Sequence, residues 1–246
     1  MAVQRHSKAF ALRIEEKMKS SFVGLIPARY GSKGVHKKNL QLIGNSTLVE
    51  LAAASAFGAG LLDVYLSSDS EEILQSVSKV FPKIKGIERS EFSASDSARA
   101  SDVVSDFLEK VPELPNETFI VYLQPTSPFR QAEHVAEAMS MIYSNGHQSL
   151  VSVVEASPNP LKSVQIINGE VRAFPFSRPT ENRQDFPAAF FPNGAIYIFS
   201  RKAFLEVGDV PIEGSVPFVM DAASSLDIDT THDLQIARLM WNYDPF

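Results

Sequence analysis

Four basic side chains lie close together in a chain whose formal net charge is −6. They follow the apolar run Phe22–Ile26 and fall within ten residues that contain no acid. They are Arg29, Lys33, Lys37 and Lys38. Gly31 and Gly34 interrupt the stretch, and glycine lets a backbone turn tightly and expose its N–H groups. A triphosphate needs such a cradle, because positive charge must offset the anion and the leaving pyrophosphate. The pattern predicts a phosphate-binding loop, and a solvated basic loop is the alternative.

This loop does not match two common phosphate-binding motifs. A Walker loop requires G-x-x-x-x-G-K-[ST] and a dinucleotide fingerprint requires G-x-G-x-x-G. Neither spacing is present in residues 26–39. The loop therefore predicts a nucleotide site of another kind.

Two carboxylates near the end of the chain are separated by one residue. Asp227 and Asp229 precede a predicted helix, whose start is marked by the capping-box spacing of Thr230 and Asp233. In an extended chain, residues i and i+2 project from one face, while Ile228 between them would point into the core. Two adjacent carboxylates repel, and Mg²⁺ would remove that conflict. The alternative is that Asp229 only helps to cap the helix.

The elements that must position these groups alternate along the chain. Predicted strands cover about Phe22–Ile26, Val64–Leu66, Ile84–Ile87, Phe119–Leu123, Leu150–Val154, Gly194–Phe199 and Val216–Val219. Predicted helices cover about Thr47–Phe57, Glu71–Val80, Asp102–Val111, Ala132–Tyr143 and Thr231–Met240. Strands with helices between them predict an α/β fold with a doubly wound, mainly parallel sheet. Ligand-binding loops are then expected at the carboxyl ends of the strands.

One segment, residues 158–192, does not follow this alternation of strands and helices. It holds six prolines and five phenylalanines between about Ser157 and Pro192. Prolines this frequent exclude long regular elements, and aromatic side chains are costly to leave in water. The segment predicts a lid or dimerisation excursion from the domain, and a looped hairpin packed on its own domain is the alternative.

Composition limits the class of protein. The length of 246 residues suits one large α/β domain with a small appendage, which we place at residues 1–20 with the rest as a single domain, residues 21–246. The negative net charge argues against general nucleic-acid binding. With no cysteine, disulfides, zinc thiolate sites and cysteine nucleophiles are excluded, and a cytoplasmic location fits. No run approaches the ~20 apolar residues of a membrane span, and residues 1–20 lack the apolar region of a secretory signal.

A series of motifs in consistent order resembles the acylneuraminate cytidylyltransferases, the CMP-sialic acid synthetases. The resemblance covers nearly everything from Phe22 onward. Its motifs are Ile26–Asn39, Leu66–Asp69, Arg89 with Ser95-Asp96, Leu123–Arg130, Pro160–Lys162, Arg183–Asp185, Pro192–Tyr197 and Leu226–Thr230. The resemblance implies a nucleotide-diphospho-sugar transferase-like fold and a homodimer in which a protruding segment reaches the partner's site. It also implies transfer of CMP from CTP to an acidic nine-carbon sugar such as N-acetylneuraminate, with Mg²⁺ as cofactor and pyrophosphate as product.

The resemblance also carries roles to matching positions. Arg29, Lys33 and Lys38 match phosphate-binding residues, with Asn39 and Arg89 at the nucleotide. Gln124, Asn193 and Tyr197 match sugar-binding residues, and Lys162 and Arg183 match basic residues near the sugar and phosphates. Asp227 and Asp229 match the metal-binding pair. The catalytic assignment is Arg29, Lys38 and Asp229.

Several of these positions have plainer alternatives. Gln124 could belong to a strand-ending turn, Arg183 to a surface ion pair, and Tyr197 to strand packing. Arg130 is expected to anchor a helix start rather than to bind substrate.

Two departures from the family pattern affect the expected specificity. Ala100 stands where many members have a serine near the base, which leaves Ser101 or backbone groups to recognise the base. Phe191 stands where some have arginine, which changes the charge near the phosphate or sugar. The alternative functions are a GTP-dependent legionaminate enzyme, a 3-deoxy-octulosonate cytidylyltransferase and a non-catalytic nucleotide-binding protein.

Overall fold

The fold is known from a computed structural model that describes residues 21–243, apart from the side chain of Arg183. The predicted appendage at residues 1–20 lies outside the described residues. None of the helices within residues 21–243 combines the length and the apolar character that crossing a bilayer requires.

A seven-stranded sheet forms the centre of the molecule, in the order β11-β7-β10-β6-β1-β4-β5. The strands are β1 (Phe22–Pro27), β2 (Leu42–Ile43), β3 (Ser46–Thr47), β4 (Asp63–Ser68), β5 (Lys85–Glu88), β6 (Phe119–Tyr122), β7 (Ser149–Glu155), β8 (Val164–Ile167), β9 (Glu170–Ala173), β10 (Phe190–Ser200) and β11 (Val216–Met220). Neighbouring strands of the large sheet run parallel except at β10, which is antiparallel to β6 and β7. The predicted mainly parallel sheet is confirmed.

Helices cover both faces of this sheet. They are α1 (Leu48–Gly58), α2 (Glu71–Val80), α3 (Glu91–Ala94), α4 (Ala100–Lys110), α5 (Ala132–Asn145), α6 (Arg201–Val207) and α7 (Thr231–Tyr243), with short 3-10 turns at Lys38–Leu40, Pro160–Lys162 and Arg183–Asp185. Alternate residues of β1 point to opposite faces. Phe22 and Ile26 pack with α1, α2 and α5, whereas Val23 and Leu25 pack with α4 and α6. These two buried layers account for the near-continuous apolar runs of the parallel strands.

The order of the strands creates a crevice beside β1. From β1 the chain moves outward through β4 to β5, and it then returns to place β6 on the other side of β1. Ligands of doubly wound sheets bind where the strand order reverses in this way, outside the carboxyl ends. The basic loop follows β1 directly, so the fold places it at this switch point.

A third buried cluster fixes the last helix against the basic loop. Val35 of the loop packs with Phe129, with Ile228 and with Leu234 of α7. The capping box of Thr230 and Asp233 is confirmed, because each side chain accepts a hydrogen bond from the other residue's backbone N–H, at 3.2 and 2.7 Å.

Residues 158–189 form a small hairpin and irregular chain outside the large sheet, and the last three residues of segment 158–192 begin β10. The strands β8 and β9 pair with each other only, and several apolar side chains are exposed. Ile166 is 76% exposed and Val171 70%, and Phe176 and Phe191 are also exposed. The strand β10 begins at Phe190, four residues before the predicted start, because Phe190–Pro192 pair with β7 before the register shifts.

Candidate active site

A polar cleft lies at the carboxyl ends of β1 and β6, and seven of the predicted site residues line it. They are Arg29, Lys38, Asn39, Arg89, Gln124, Asp227 and Asp229. The opposite wall consists of residues before and at the start of α4, which include Ser95, Arg99 and Ala100. We call this the main cleft.

The basic loop is held in place through its backbone. The amide of Tyr30 donates to Oδ1 of Asp69 at 2.7 Å, and Nδ2 of the buried Asn39 donates to the carbonyl of Arg29 at 2.8 Å. A Cβ atom at Gly34 would overlap the carbonyl oxygen of Asp229, so only glycine allows the loop to approach the segment before α7 so closely. Asn39, predicted at the nucleotide, therefore also shapes the loop that carries Arg29.

Arg29 and Lys33 both face one carboxylate across the main cleft. Nη1 of Arg29 lies 2.6 Å from Oδ1 of Asp96, and Nζ of Lys33 lies 3.7 Å from Oδ2 of the same residue. Lys33 is the more exposed of the two cations, with 73% of its side chain accessible. The sequence motif contained Asp96 without indicating a role for it, and the structure makes it the counter-ion of this part of the loop.

Lys38 and Lys37 point in different directions although they are adjacent. Nζ of Lys38 donates to the carbonyl of Ile228 at 2.9 Å and to Oδ1 of Asp229 at 3.1 Å. Nζ of Lys37 instead contacts Glu72 at 3.1 Å, outside the main cleft. Contacts with Tyr30 and Glu72 raise the pKa of Lys37. Lys38 therefore joins the basic loop to the acidic segment 190 residues away in sequence.

The two carboxylates line the same cleft with very different exposure. Oδ1 of Asp227 is buried without a hydrogen-bond partner among the described residues, whereas the side chain of Asp229 is 74% exposed. Burial raises the pKa of Asp227, a hydrogen bond with Thr126 opposes this, and the charge of Asp229 adds to the increase. Ile228 between them is fully buried, as predicted.

This arrangement fits a hard divalent cation. Such ions bind one or two protein carboxylates and complete their shell with phosphate oxygens and water. An unpaired carboxylate oxygen of Asp227 beside the exposed carboxylate of Asp229 supplies that donor set. Within the described residues, no cluster of three or more acidic, histidine or cysteine side chains offers a larger one.

Arg89 is buried at the end of β5 and is oriented by β4. Nε donates to Oγ of Ser67 at 3.2 Å, and Nη2 donates to the carbonyl of the same residue at 3.0 Å. Burial lowers the pKa of the guanidinium, and the charges of Tyr122, Asp69 and Asp106 partly offset this. The main cleft thus has a fixed cation on its inner wall.

A smaller pocket adjoins the main cleft and contains Tyr197. We call it the side pocket, and its walls are Ala100, Tyr122, Gln124, Tyr197, Asp209, Val210 and Ile212. The rings of Tyr122 and Tyr197 meet edge to face with centroids 6.3 Å apart. Burial raises the pKa of Tyr197, and the charge of Asp227 contributes. No motif or spacing in the sequence marked the loop residues Asp209, Val210 and Ile212.

Three predicted sugar-binding residues do not line either pocket. Asn193 is buried, and its Nδ2 donates to Oγ of Ser225 at 2.8 Å while its Oδ1 accepts from Oγ of Ser152. Nζ of Lys162 donates to the carbonyls of Pro179 and Glu181 inside segment 158–192. Arg183 lies in the same segment, and its side chain is outside the described part of the chain.

A comparison with protein families decides how this site is classified. The family model named cytidylyltransferase matches residues 23–175, which is more than half of the chain. The chain belongs to the cytidylyltransferase family.

Individual relatives show which named cytidylyltransferases the chain is similar to. An N-acylneuraminate cytidylyltransferase of Streptococcus agalactiae serotype III (strain NEM316) is 29% identical over 225 residues, which are 89% of this chain and 53% of that protein. The enzyme of the same name from Escherichia coli O18:K1:H7 (strain RS218 / NMEC) is 28% identical over 226 residues, 89% of this chain and 52% of its own length. This cytidylyltransferase thus spans about half the length of these curated relatives.

A relative of similar length carries a different substrate name. The pseudaminic acid cytidylyltransferase of Campylobacter jejuni subsp. jejuni serotype O:2 (strain ATCC 700819 / NCTC 11168) is 27% identical over 222 residues, 88% of this chain and 94% of that protein. The relatives therefore share the cytidylyltransferase name but differ in the sugar.

Solved structures confirm the nucleotide-diphospho-sugar transferase-like fold. A CMP:2-keto-3-deoxy-manno-octonic acid synthetase complexed with CTP matches with a TM-score of 0.66 at 18% identity, over 90% of this chain and 98% of that chain. The 4-diphosphocytidyl-2C-methyl-D-erythritol synthase of Anaerococcus prevotii DSM 20548 matches with a TM-score of 0.61 at 12% identity, over 92% of this chain and 99% of that chain. At such identities the matches establish the fold alone.

Proposed function

We propose that this chain transfers CMP from CTP to the anomeric hydroxyl of an acidic nonulosonic acid and releases pyrophosphate. One observation carries the proposal: the fold brings Arg29, Lys38 and Arg89 to the same cleft as the carboxylates of Asp227 and Asp229. A cytidylyltransferase needs both sets, because cations must stabilise the triphosphate while carboxylates hold a divalent ion.

The proposed reaction requires little covalent chemistry from the protein. The anomeric oxygen forms a bond to the α-phosphorus as the bond to the β-phosphate oxygen breaks, and positioning and charge supply most of the acceleration. Arg29 and Lys38 lie where they can bind the phosphates, and Arg89 supports them from the inner wall. Mg²⁺, held by Asp227 and Asp229, would neutralise phosphate charge and lower the pKa of the attacking hydroxyl when bound.

The ion pairs of the main cleft must rearrange when a triphosphate binds. Asp96 lies 2.6 Å from Arg29, so a phosphate at that guanidinium would be repelled by the carboxylate. Asp96 is 56% exposed and can turn toward solvent at little cost. We therefore expect the triphosphate to replace Asp96 as the partner of Arg29 and Lys33.

We assign the acceptor sugar to the side pocket, whose described walls carry no cation. Among the described residues that form its walls, none is basic, and Asp209 is acidic. The neighbouring Arg99 lies 4.0 Å from Asp209, which offsets its charge. The carboxylate of a nonulosonic acid would gain most from a basic group brought from elsewhere.

Segment 158–192 of a second copy can supply that group. It contains Lys162 and Arg183, and it exposes Ile166 and Val171, which favour burial in a contact. We therefore propose a homodimer in which this segment reaches the partner's side pocket, and Asn193 acts by shaping β10 rather than by touching the sugar.

A direct assay tests the function. Purified protein is incubated with Mg²⁺, each nucleoside triphosphate in turn, and N-acetylneuraminate, pseudaminate or 3-deoxy-octulosonate, and pyrophosphate is measured. We expect pyrophosphate only with CTP and an acidic sugar. Nucleotide binding without pyrophosphate release from any combination would contradict the proposal and favour a non-catalytic nucleotide-binding protein.

Pseudaminic acid is a second candidate for the acceptor sugar. The pseudaminic acid cytidylyltransferase matches this chain over 94% of its length, whereas the N-acylneuraminate enzymes are matched over about half of theirs. The apolar walls Val210 and Ile212 also suit acyl or methyl substituents on the sugar. A higher kcat/KM for pseudaminate than for N-acetylneuraminate would favour this candidate.

A further inference from the structure

Arg130 is a buried arginine that binds backbone carbonyls instead of a carboxylate. It is 4% exposed, and Nη1 lies 2.8 Å from the carbonyl oxygens of both Gln124 and Ala195. Nε donates to Oγ of Ser55 on α1 at 3.2 Å. Burial lowers the pKa of Arg130 to about 9, and no acidic side chain of the described residues offsets this effect.

The carbonyl of Gln124 lies two residues beyond the end of β6, whereas that of Ala195 lies in β10. Regular pairing between β6 and β10 ends where Tyr122 faces Tyr197. On the other side of β10, its register with β7 shifts between Pro192 and Tyr197. Arg130 therefore connects Gln124 and Ala195 where the hydrogen-bond ladder no longer does.

The separation of these strands shapes the wall that carries Gln124. Gly194 has a φ of 78°, and a Cβ atom there would lie 2.8 Å from Oε1 of Gln124. The same Cβ would lie 4.0 Å from Oδ2 of Asp227. A small shift of the Gly194 turn would therefore move the Gln124 side chain and disturb the edge between the main cleft and the side pocket.

A guanidinium with neutral partners is an unfavourable way to connect two segments, because a buried charge without an ionic partner carries a large desolvation penalty. The planar fork of arginine does, however, hold the N–H bonds of Nη1 and Nε in fixed directions, toward the two carbonyls and Ser55, which the flexible ammonium of lysine does less well. This rigidity is useful where the position of a side chain matters more than stability.

We propose that Arg130 is a positioning residue, which holds Gln124 against the Gly194 turn so that the side pocket accepts the sugar. The proposal rests on the proposed function, since it assigns Gln124 to the acceptor. Arg130 lines neither the main cleft nor the side pocket, so it is not expected to touch either substrate.

The substitution Arg130→Lys tests this, because it keeps the charge and loses the fork. We expect the KM for the sugar to rise about tenfold or more, since small misplacements of positioning groups have such effects. The Kd of CTP, measured by calorimetry, should change less than about twofold, because Arg29, Lys38 and Arg89 are untouched. The side-chain amide resonance of Gln124, assigned with Gln124→Asn, should shift or broaden in the variant.

The matched control is Ser200→Ala at the other end of β10. Oγ of Ser200 caps α6 by accepting from the amide of Ala203 at 3.0 Å, so its loss should lower the melting temperature without a change in the sugar KM. Unchanged sugar KM and unchanged Gln124 resonance in a folded Arg130→Lys variant would overturn the proposal.

Two other outcomes are equally decisive. A parallel loss of CTP affinity and sugar KM, in proportion to a lower melting temperature, would show a merely structural role and overturn it. If the wild-type protein turns over no sugar, the proposed function fails, and the Gln124 resonance alone then decides whether Arg130 positions that side chain.

Discussion

The main cleft and the side pocket are built in different ways. In the main cleft, Arg89, Lys38 and Arg29 have polar partners within the chain: Arg89 donates to Ser67, Lys38 to the acidic segment, and Arg29 to Asp96. The side pocket has tyrosine rings, aliphatic side chains and one acid, and part of it comes from the loop between α6 and β11.

Under the proposed function, this difference means that the nucleotide phosphates and the acceptor sugar are bound by separately built parts of the site. We propose that side chains of one chain bind all the phosphates of the nucleotide. We propose that the acceptor is instead recognised by a surface loop, through Arg130 behind the wall, and by a second copy. Changes in the main cleft should therefore reduce turnover with every acceptor, whereas changes around the side pocket should affect the sugar KM.

The largest effect is expected from Arg29→Ala or Lys38→Ala. Each should lower turnover at least about 100-fold while the protein stays folded, because preorganised charge at the reacting phosphates is worth a few kcal/mol. Lys37→Ala is the matched control, since Lys37 contacts Glu72 outside the cleft. Equal, near wild-type rates in all three variants would contradict the assignment of the loop.

A slightly smaller loss is expected from Asp229→Asn. Removal of one of the proposed metal-binding carboxylates should cost about 2.0–2.7 kcal/mol of transition-state stabilisation, or roughly 30- to 100-fold in turnover, and Asp227→Asn should also be impaired. Turnover is measured across a Mg²⁺ titration. Asp63→Asn serves as control, because Asp63 pairs with Lys85 at the amino ends of β4 and β5, away from the cleft, and its loss should leave turnover and Mg²⁺ dependence unchanged. Normal Mg²⁺ dependence in both cleft variants would place the metal elsewhere.

The dimer is tested by charged substitutions on the exposed hairpin. Ile166→Asp combined with Val171→Asp should weaken self-association by about 2 kcal/mol, or roughly 30-fold in Kd, if both side chains are buried between copies. Light scattering at micromolar concentration measures the mass, and the sugar KM should rise in step. Val80→Asp, 56% exposed elsewhere on the surface, should change neither. A wild-type monomer would contradict the shared site.

The smallest effect concerns the base. Wild-type protein should prefer CTP to GTP, ATP and UTP, and Ser101→Ala should weaken CTP binding by roughly 1 kcal/mol. Oγ of Ser101 is buried beside Ala100 without a hydrogen-bond partner in the described chain, as is that of Ser127, so Ser127→Ala is a matched control. Tighter calorimetric binding of GTP than of CTP would support the legionaminate alternative.

Much of the scaffold and half of the site could be predicted because their signals are local. Mostly apolar runs of three to six residues mark the buried strands. The four cations lie close together in sequence, as do Asp227 and Asp229. The contact between Lys38 and Ile228 spans 190 residues and follows only from the assembled sheet. The dual contact of Arg130 is similar, because a register shift in β10 has no local pattern.

The most direct test of the account is phosphorus NMR of wild-type protein and Arg29→Ala mixed with CTP, Mg²⁺ and a nonulosonic acid. We expect the wild-type protein to convert the triphosphate resonances into one phosphodiester signal and an equal amount of pyrophosphate. The Arg29→Ala variant should leave CTP largely intact over the same time. Unchanged CTP resonances with wild-type protein and each of the acids, although the nucleotide is bound, would contradict it.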